Sequence, residues 1–73
     1  MKSGPENLNV LIIGAGITGE RHAKAQHALG SKLAIYDTNP TRLTQIAQKF
    51  GAEMAENLPS AIAQSNLVYV CTP

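Results

Sequence analysis

The sequence predicts an α/β fold in which a parallel sheet of three to four strands, in the spatial order 3-2-1-4, carries helices on both faces. Short apolar runs alternate with helix-forming segments along the 73 residues. The connections between them are short, and glycine or proline marks most of the boundaries. Strands joined through helices in this way form right-handed crossovers, which place the strands side by side and parallel.

The first strand is predicted by a nearly continuous apolar run that ends at Gly14 and comprises Leu8 and residues 10–13. Such a run is typical of a strand buried on both faces of a parallel sheet. From Ile17 to Leu29 the chain carries helix formers and several alanines, and Gly30 then suits a left-handed C-terminal cap. We expect a first helix that lies close to the sheet.

Residues 33–36 predict a second short strand, which ends in Asp37. Asn39 is a good N-cap residue and Pro40 a good first helical residue, so a second helix is expected to begin there. Its apolar positions recur on one helical face before Gly51; they are Leu43, Ile46, Ala47 and Phe50. This segment predicts a complete amphipathic helix.

The remaining third of the chain predicts three shorter elements. Residues 52–55 form a brief third strand, and residues 57–64 form a short helix with Leu58, Ala61 and Ile62 available for the core. Residues 67–71 are an apolar run of strand formers, ended by Thr72 and Pro73. Residues 1–6 precede any periodic pattern and are interpreted as a disordered leader.

Composition and charge exclude several functions. The six basic residues are scattered and nearly balanced by five acidic ones, so they offer no track for a nucleic-acid backbone. The longest apolar run is far below the roughly 20 residues of a membrane span, and no signal peptide is visible, which predicts a cytoplasmic protein. Cys71 is a lone cysteine, and two histidines give no metal-ligand cluster.

The glycines between the first strand and the first helix form a motif. Residues 14–19 fit the pattern G-x-G-x-x-G, the fingerprint of a Rossmann dinucleotide-binding fold when it stands between a strand and a helix. Gly14 would permit the tight turn, Gly16 would let the backbone approach a pyrophosphate, and Gly19 would let helix and strand pack closely. Unpaired N–H groups around Gly16, Ile17 and Thr18 would bind the diphosphate. A glycine-rich turn without a ligand is the alternative.

Asp37 favours NAD as the cofactor. It follows Gly19 by 18 residues at the end of the second strand, close to the roughly 20-residue spacing at which an acidic residue binds the adenosine ribose. Its carboxylate would also repel a 2′-phosphate. Thr38 and Arg42 lie just beyond, and an arginine there could bind a 2′-phosphate, which leaves NADP open. Alternatively, Asp37 caps the turn at Pro40 and Arg42 lies on a solvated helix face.

Two further residues receive structural interpretations. His22 lies one turn after the glycine motif, where a partly buried packing role is expected. Cys71 has no base or cation beside it in the sequence, so a core position is favoured over thiol chemistry. No catalytic group can be named.

Three segments together resemble the glucose-fructose oxidoreductase and inositol dehydrogenase (Gfo/Idh/MocA) family. They are Gly14 to Ala23 with its histidine three residues after the last glycine, Tyr36 to Gly51, and the ending Val68-Tyr-Val-Cys-Thr-Pro73. The resemblance implies a nicotinamide-dependent oxidoreductase that acts on a sugar, polyol or related hydroxyl compound. It also implies that Cys71, Thr72 and Pro73 line the cofactor beside the glycine motif.

The same resemblance predicts what this chain lacks. Members of the family carry a downstream Glu-Lys-Pro motif and a separate substrate domain, neither of which is present, so residues 7–73 are interpreted as the N-terminal portion of a dinucleotide-binding domain. We expect the chain to be inactive by itself. Two alternatives stay open: a regulatory module that binds NAD without catalysis, and a fragment without useful affinity whose exposed edge at the first or fourth strand favours self-association.

Overall fold

The structure, a computed structural model, describes residues 8–71 of the chain. In that part, strands and helices alternate as the sequence predicts. The elements are β1 (Asn9–Ile13), α1 (Ile17–Ala28), β2 (Lys32–Tyr36), α2 (Pro40–Phe50), β3 (Glu53–Met54), α3 (Leu58–Ala63) and β4 (Leu67–Val70). The predicted leader, residues 1–6, lies outside the described residues, as do Thr72 and Pro73.

The four strands form one parallel sheet in the order β3-β2-β1-β4, which confirms the predicted topology. β1 pairs with β2 and β4 in a register that aligns Ile13 with Tyr36 and Val70. The carboxyl ends of these three strands therefore meet at one end of the sheet. The outer edges belong to β3 and β4. Of the two strands at which an exposed edge was expected, the fourth is an edge strand, whereas the first is paired on both sides.

The core lies between the sheet and the two longer helices. Side chains alternate along a strand, so one face of β1 and β2 presents a set of aliphatic residues to α1 and α2. The set consists of Val10, Ile12, Leu33 and Ile35, which pack with Ala23, Ile46 and Phe50. Each is at most 9% exposed, and complete burial of a large aliphatic side chain stabilises a fold by roughly 1.5–3 kcal/mol. The predicted apolar face of α2 is confirmed.

A buried polar side chain joins α1 to β4. Gln26, 7% exposed, donates from Nε2 to the Tyr69 hydroxyl at 3.1 Å and accepts from Ser31 Oγ at 2.7 Å. The His22 ring stacks on the Tyr69 ring with centroids 4.2 Å apart. The packing role predicted for His22 is confirmed.

The two later helices begin at the predicted caps. The Asn39 side chain accepts from the Thr41 and Arg42 amides, and the Asn57 side chain accepts from the Ser60 amide. Gly51 ends α2 in the left-handed conformation, at φ 64°. The prediction for Ile62 is wrong, because it is 46% exposed: α3 has only six residues and buries none of them.

Candidate functional site

An open groove lies at the carboxyl ends of β1, β2 and β4. Its volume of about 660 Å³ falls within the ~300–1,000 Å³ typical of small-molecule sites. In doubly wound sheets ligands bind where the strand order reverses, and here that point lies between β1 and β4. The lining residues are Gly14, Gly16, Ile17, Thr18, Asp37, Thr38, Val70 and Cys71.

The three glycines of the motif are needed for different reasons. Gly14 has φ 107°, a conformation that side chains rarely tolerate. A β-carbon on Gly19 would overlap the carbonyl oxygen of Gly14, so this glycine is required by the packing of α1 on the end of β1. Gly16 has an ordinary extended backbone at φ −79° and ψ −163°, and a β-carbon there would contact no atom of residues 8–71 within 4 Å. Neither its conformation nor packing among the described residues explains the glycine at position 16.

The N-terminus of α1 presents free amide groups to this groove. Gly16 is the N-cap, and no side chain among residues 8–71 caps it, whereas asparagine side chains cap α2 and α3. The first backbone bond of α1 runs from the Glu20 amide to the Gly16 carbonyl at 2.8 Å, so the amides before it have no acceptor within the helix. These amides and the positive end of the helix dipole favour an anion.

Asp37 is anchored to the glycine turn. Its Oδ2 accepts from the Ala15 amide at 2.5 Å, and its Oδ1 accepts from the Asn39 amide at 2.7 Å. The hydrogen bond from Ala15, followed by that from Asn39, lowers the pKa of Asp37 below its ordinary value, and the positive charge of Arg42 adds to the effect. The carboxylate therefore stays ionised at neutral pH. It caps the turn before Pro40 and also faces the groove.

Arg42 binds the same turn from the other side. Its Nε and Nη2 donate to the Ala15 carbonyl oxygen at 3.1 and 2.7 Å, and Nη2 lies 3.7 Å from Glu20 Oε1. Arg42 does not line the groove. The interpretation of Arg42 as part of a solvated helix face is incomplete, because its side chain is 38% exposed but its guanidinium group also contacts the backbone of a buried residue.

The end of β4 forms the far wall of the groove. The Cys71 amide donates to the Ile13 carbonyl at 2.8 Å, and burial raises the pKa of the Cys71 thiol. The thiol is therefore protonated at neutral pH. Val70, 69% exposed, lines the groove but was not among the predicted site residues. Val70 is the last residue of β4 and is aligned with Ile13, and this position at the carboxyl end of a strand is the signal that would have indicated a site residue.

Other kinds of site find less support in the described part of the chain. A larger cleft of about 850 Å³ lies between α3 and the sheet, and its lining includes Asn9 and Lys32 at the amino ends of β1 and β2. Ligands of parallel sheets bind at the opposite end. Between residues 8 and 71, no His, Cys, Asp and Glu side chains form a group of three or more that could bind a metal. None of the helices described has the length and apolar character needed to span a membrane.

The comparison with protein families agrees with this geometry. The sequence model of the oxidoreductase family with an NAD-binding Rossmann fold (GFO_IDH_MocA) matches residues 8–73. The chain belongs to this oxidoreductase family. The match covers all the described residues and confirms the resemblance to the Gfo/Idh/MocA family.

Relatives of this oxidoreductase-family chain are much longer proteins. Alanine dehydrogenase from Methanococcus maripaludis is 31% identical over 74 residues, which cover 93% of this chain and 20% of the relative. The NAD complex of GenD2 from gentamicin A biosynthesis is 28% identical, with a TM-score of 0.81 over 99% of this chain and 22% of that one. UDP-N-acetylglucosamine 3-dehydrogenase GnnA from Acidithiobacillus ferrooxidans shares the fold, with a TM-score of 0.83 and 22% identity over 92% of this chain and 22% of that one. This chain spans about a fifth of their length.

The residues at the groove fit the dinucleotide of this NAD-binding oxidoreductase family. An anion would meet free amides at the α1 N-terminus, and the position that a side chain of residue 16 would fill is open. An ionised carboxylate, which can accept hydroxyl hydrogen bonds, stands at the end of β2. These features supply complementary partners for a diphosphate and a ribose.

Proposed function

We propose that this groove binds the diphosphate and the adenosine ribose of NAD for a nicotinamide-dependent oxidoreductase of which this chain is a portion. The glycine turn and the start of α1 bind the diphosphate, Asp37 binds the ribose, and the end of β4 closes the other side. The residues assigned to the site are Gly14, Gly16, Ile17, Thr18, Gly19, Asp37, Thr38, Arg42, Cys71, Thr72 and Pro73. Of these, Gly19 and Arg42 contact the glycine turn and are not among the residues that line the groove.

One observation carries this proposal: the missing side chain at Gly16. Its backbone angles suit any residue, and no atom of the described chain occupies the space of a β-carbon. The described residues therefore give no reason for a glycine here, and a bound diphosphate would supply one. A diphosphate that approaches the α1 amides would need this space, because a side chain there would hold it away from the N–H groups.

The proposed cofactor is NAD rather than NADP. Asp37 is ionised, and its two oxygens already accept hydrogen bonds from Ala15 and Asn39, so it is held in place at the groove. Its remaining lone pairs can accept from the 2′- and 3′-hydroxyls of a ribose. A 2′-phosphate would place two negative groups together. We expect NAD to bind at least about tenfold more tightly than NADP.

The reaction of the whole protein is proposed from the family. NAD supplies a hydride acceptor, or a hydride donor when reduced. A sugar, polyol or related hydroxyl compound is the substrate class that the Gfo/Idh/MocA resemblance favours. The similarity to alanine dehydrogenase favours an amino acid as a second candidate. The residues of this chain would bind and orient the cofactor, and the chain alone would be inactive.

Isothermal titration of the 73-residue chain with NAD and NADP tests the site. Gly16→Val places a side chain in the groove, and the extended backbone of residue 16 accommodates valine without strain. Ala28→Val is the matched control, because it adds similar bulk at the exposed far end of the same helix. We expect NAD binding to fall at least about tenfold in Gly16→Val and to persist in the control.

Two results would contradict the proposal. If Gly16→Val binds NAD as the natural chain does, the diphosphate is not at this turn. If the natural chain binds neither cofactor, the alternative of a fragment without useful affinity is correct. A downstream Glu-Lys-Pro in the parent protein would favour an enzyme over a regulatory module that binds NAD without catalysis.

A further inference from the structure

Ala15, the residue between the first two glycines of the motif, is held from both sides by side chains of other elements. Its amide donates to Asp37 Oδ2, and its carbonyl oxygen accepts from both Nε and Nη2 of Arg42. Ala15 itself is 1% exposed and lines no part of the groove. Both of its backbone hydrogen-bonding groups are therefore satisfied within the protein.

The carbonyl of Ala15 and the amide of Gly16 belong to the same peptide unit. In a planar trans peptide the C=O and N–H bonds point in opposite directions. The Ala15 carbonyl accepts from Arg42, which does not line the groove, so the Gly16 N–H points away from Arg42, while Gly16 itself lines the groove. If this peptide unit rotated, a carbonyl oxygen would replace a donor where an anion is to bind.

Arg42 is well placed to fix this orientation. It lies in the first turn of α2, whose start is held by the Asn39 cap, and its guanidinium also lies 3.7 Å from Glu20 in the first turn of α1. Glu20 is in turn paired with Lys49, near the end of α2. These contacts connect α2 to the glycine turn and neutralise the one acidic side chain in the first turn of α1.

We propose that Arg42 is a positioning residue that orients the Gly16 amide toward the diphosphate through the Ala15 carbonyl, and that it does not bind a 2′-phosphate. This inference rests on the function proposed for the groove. The Nε and Nη2 atoms form the edge of the guanidinium that binds anions in a bidentate manner, and a 2′-phosphate could receive this edge only if two hydrogen bonds to a buried carbonyl were broken. That acceptor would then be left without a partner.

The test compares Arg42→Met and Arg42→Lys with Lys49→Met as the matched control. Lys49→Met removes the other cation that pairs with Glu20 but does not touch Ala15. The ligands are NAD, NADP, ADP and adenosine, measured by titration calorimetry. In Arg42→Met we expect affinity for NAD and ADP to fall about tenfold and affinity for adenosine to stay unchanged. Arg42→Lys should recover part of the loss, and Lys49→Met should match the natural chain.

A second measurement, made without ligand, separates this inference from the proposed function. In ¹⁵N–¹H correlation spectra, Arg42→Met should shift or broaden the Gly16 amide resonance, while Lys49→Met should leave it in place. An unchanged Gly16 resonance in Arg42→Met would overturn the positioning role, even in a chain that binds no nucleotide. A loss of affinity confined to NADP would also overturn it, because that result identifies Arg42 as a direct partner of the 2′-phosphate.

Discussion

Gly19 packs so closely on Gly14 that a β-carbon at position 19 would overlap the Gly14 carbonyl oxygen and lie 2.9 Å from its carbon. Gly16, three residues earlier, has open space at the same position. Two glycines of one motif therefore serve different purposes: one allows the helix to meet the strand, and the other leaves the groove open.

This difference predicts that the same substitution changes the stability of the chain by different amounts at the two positions. Gly19→Ala should destabilise the chain by about 2 kcal/mol or more, because neither the helix nor the turn can move without loss of packing. Gly16→Ala should change the free energy of unfolding by less than about 1 kcal/mol. Urea unfolding followed by circular dichroism measures both. Equal stability of the two variants would contradict the packing role of Gly19.

The lowered pKa of Asp37 predicts a loss of stability in acid. The pKa of this group lies below its ordinary value of 3.8 in the folded chain, so the stabilisation is complete above that value. This stabilisation is lost as the pH falls from 3.8 through the lower pKa that Asp37 has in the folded chain. Asp37→Asn should cost about 1–2 kcal/mol at pH 7, and the difference from the natural chain should shrink steadily below pH 3.8.

Urea titrations across the acid range check this prediction. Glu20→Gln is the control, because Glu20 is another carboxylate whose pKa is lowered, chiefly by its hydrogen bond with Lys49. A difference between the natural chain and Asp37→Asn that persists unchanged through the acid range would show that the negative charge is not what secures the turn.

The buried amide of Gln26 predicts coupling with Tyr69. Tyr69→Phe removes the acceptor of Gln26 Nε2 and should destabilise the chain by about 1–2 kcal/mol. In the double variant Gln26→Leu with Tyr69→Phe, the free energy of unfolding should fall by less than the sum of the decreases in the two single variants. Tyr36→Phe is the control, since the described residues offer no hydrogen-bond partner to that hydroxyl. Strictly additive free energies of unfolding would rule out the interaction.

The position of Cys71 predicts that cofactor binding protects its thiol. Burial raises the pKa of the thiol above its ordinary value of 9.0, so the reactive thiolate is scarce at neutral pH and increases only under alkaline conditions. Alkylation by iodoacetamide, followed by mass spectrometry, should be slower than for a free thiol at pH 7. Saturating NAD should slow it further, because Cys71 lines the groove. An alkylation rate that NAD leaves unchanged would place the cofactor elsewhere.

The sequence by itself determined the order of the elements, the helix caps and the topology of the sheet. These depend on local chemistry: the apolar run before Gly14, the Asn39-Pro40 start and the left-handed Gly51 act within a few residues. The strand order follows from the handedness of short crossovers. The glycine motif and Asp37 could be found because their spacing is fixed by that same topology.

Only the tertiary structure decided which partners these residues have. Arg42 is 27 positions from Ala15 and Tyr69 is 43 from Gln26, and a hydrogen bond between such residues depends on how the helices pack against the sheet. The exposure of Ile62 likewise depends on what covers a short helix, which its own pattern does not reveal. Local propensity fixes where a helix begins, but the orientation of a side chain toward a distant backbone group is set by the packing of the whole fold.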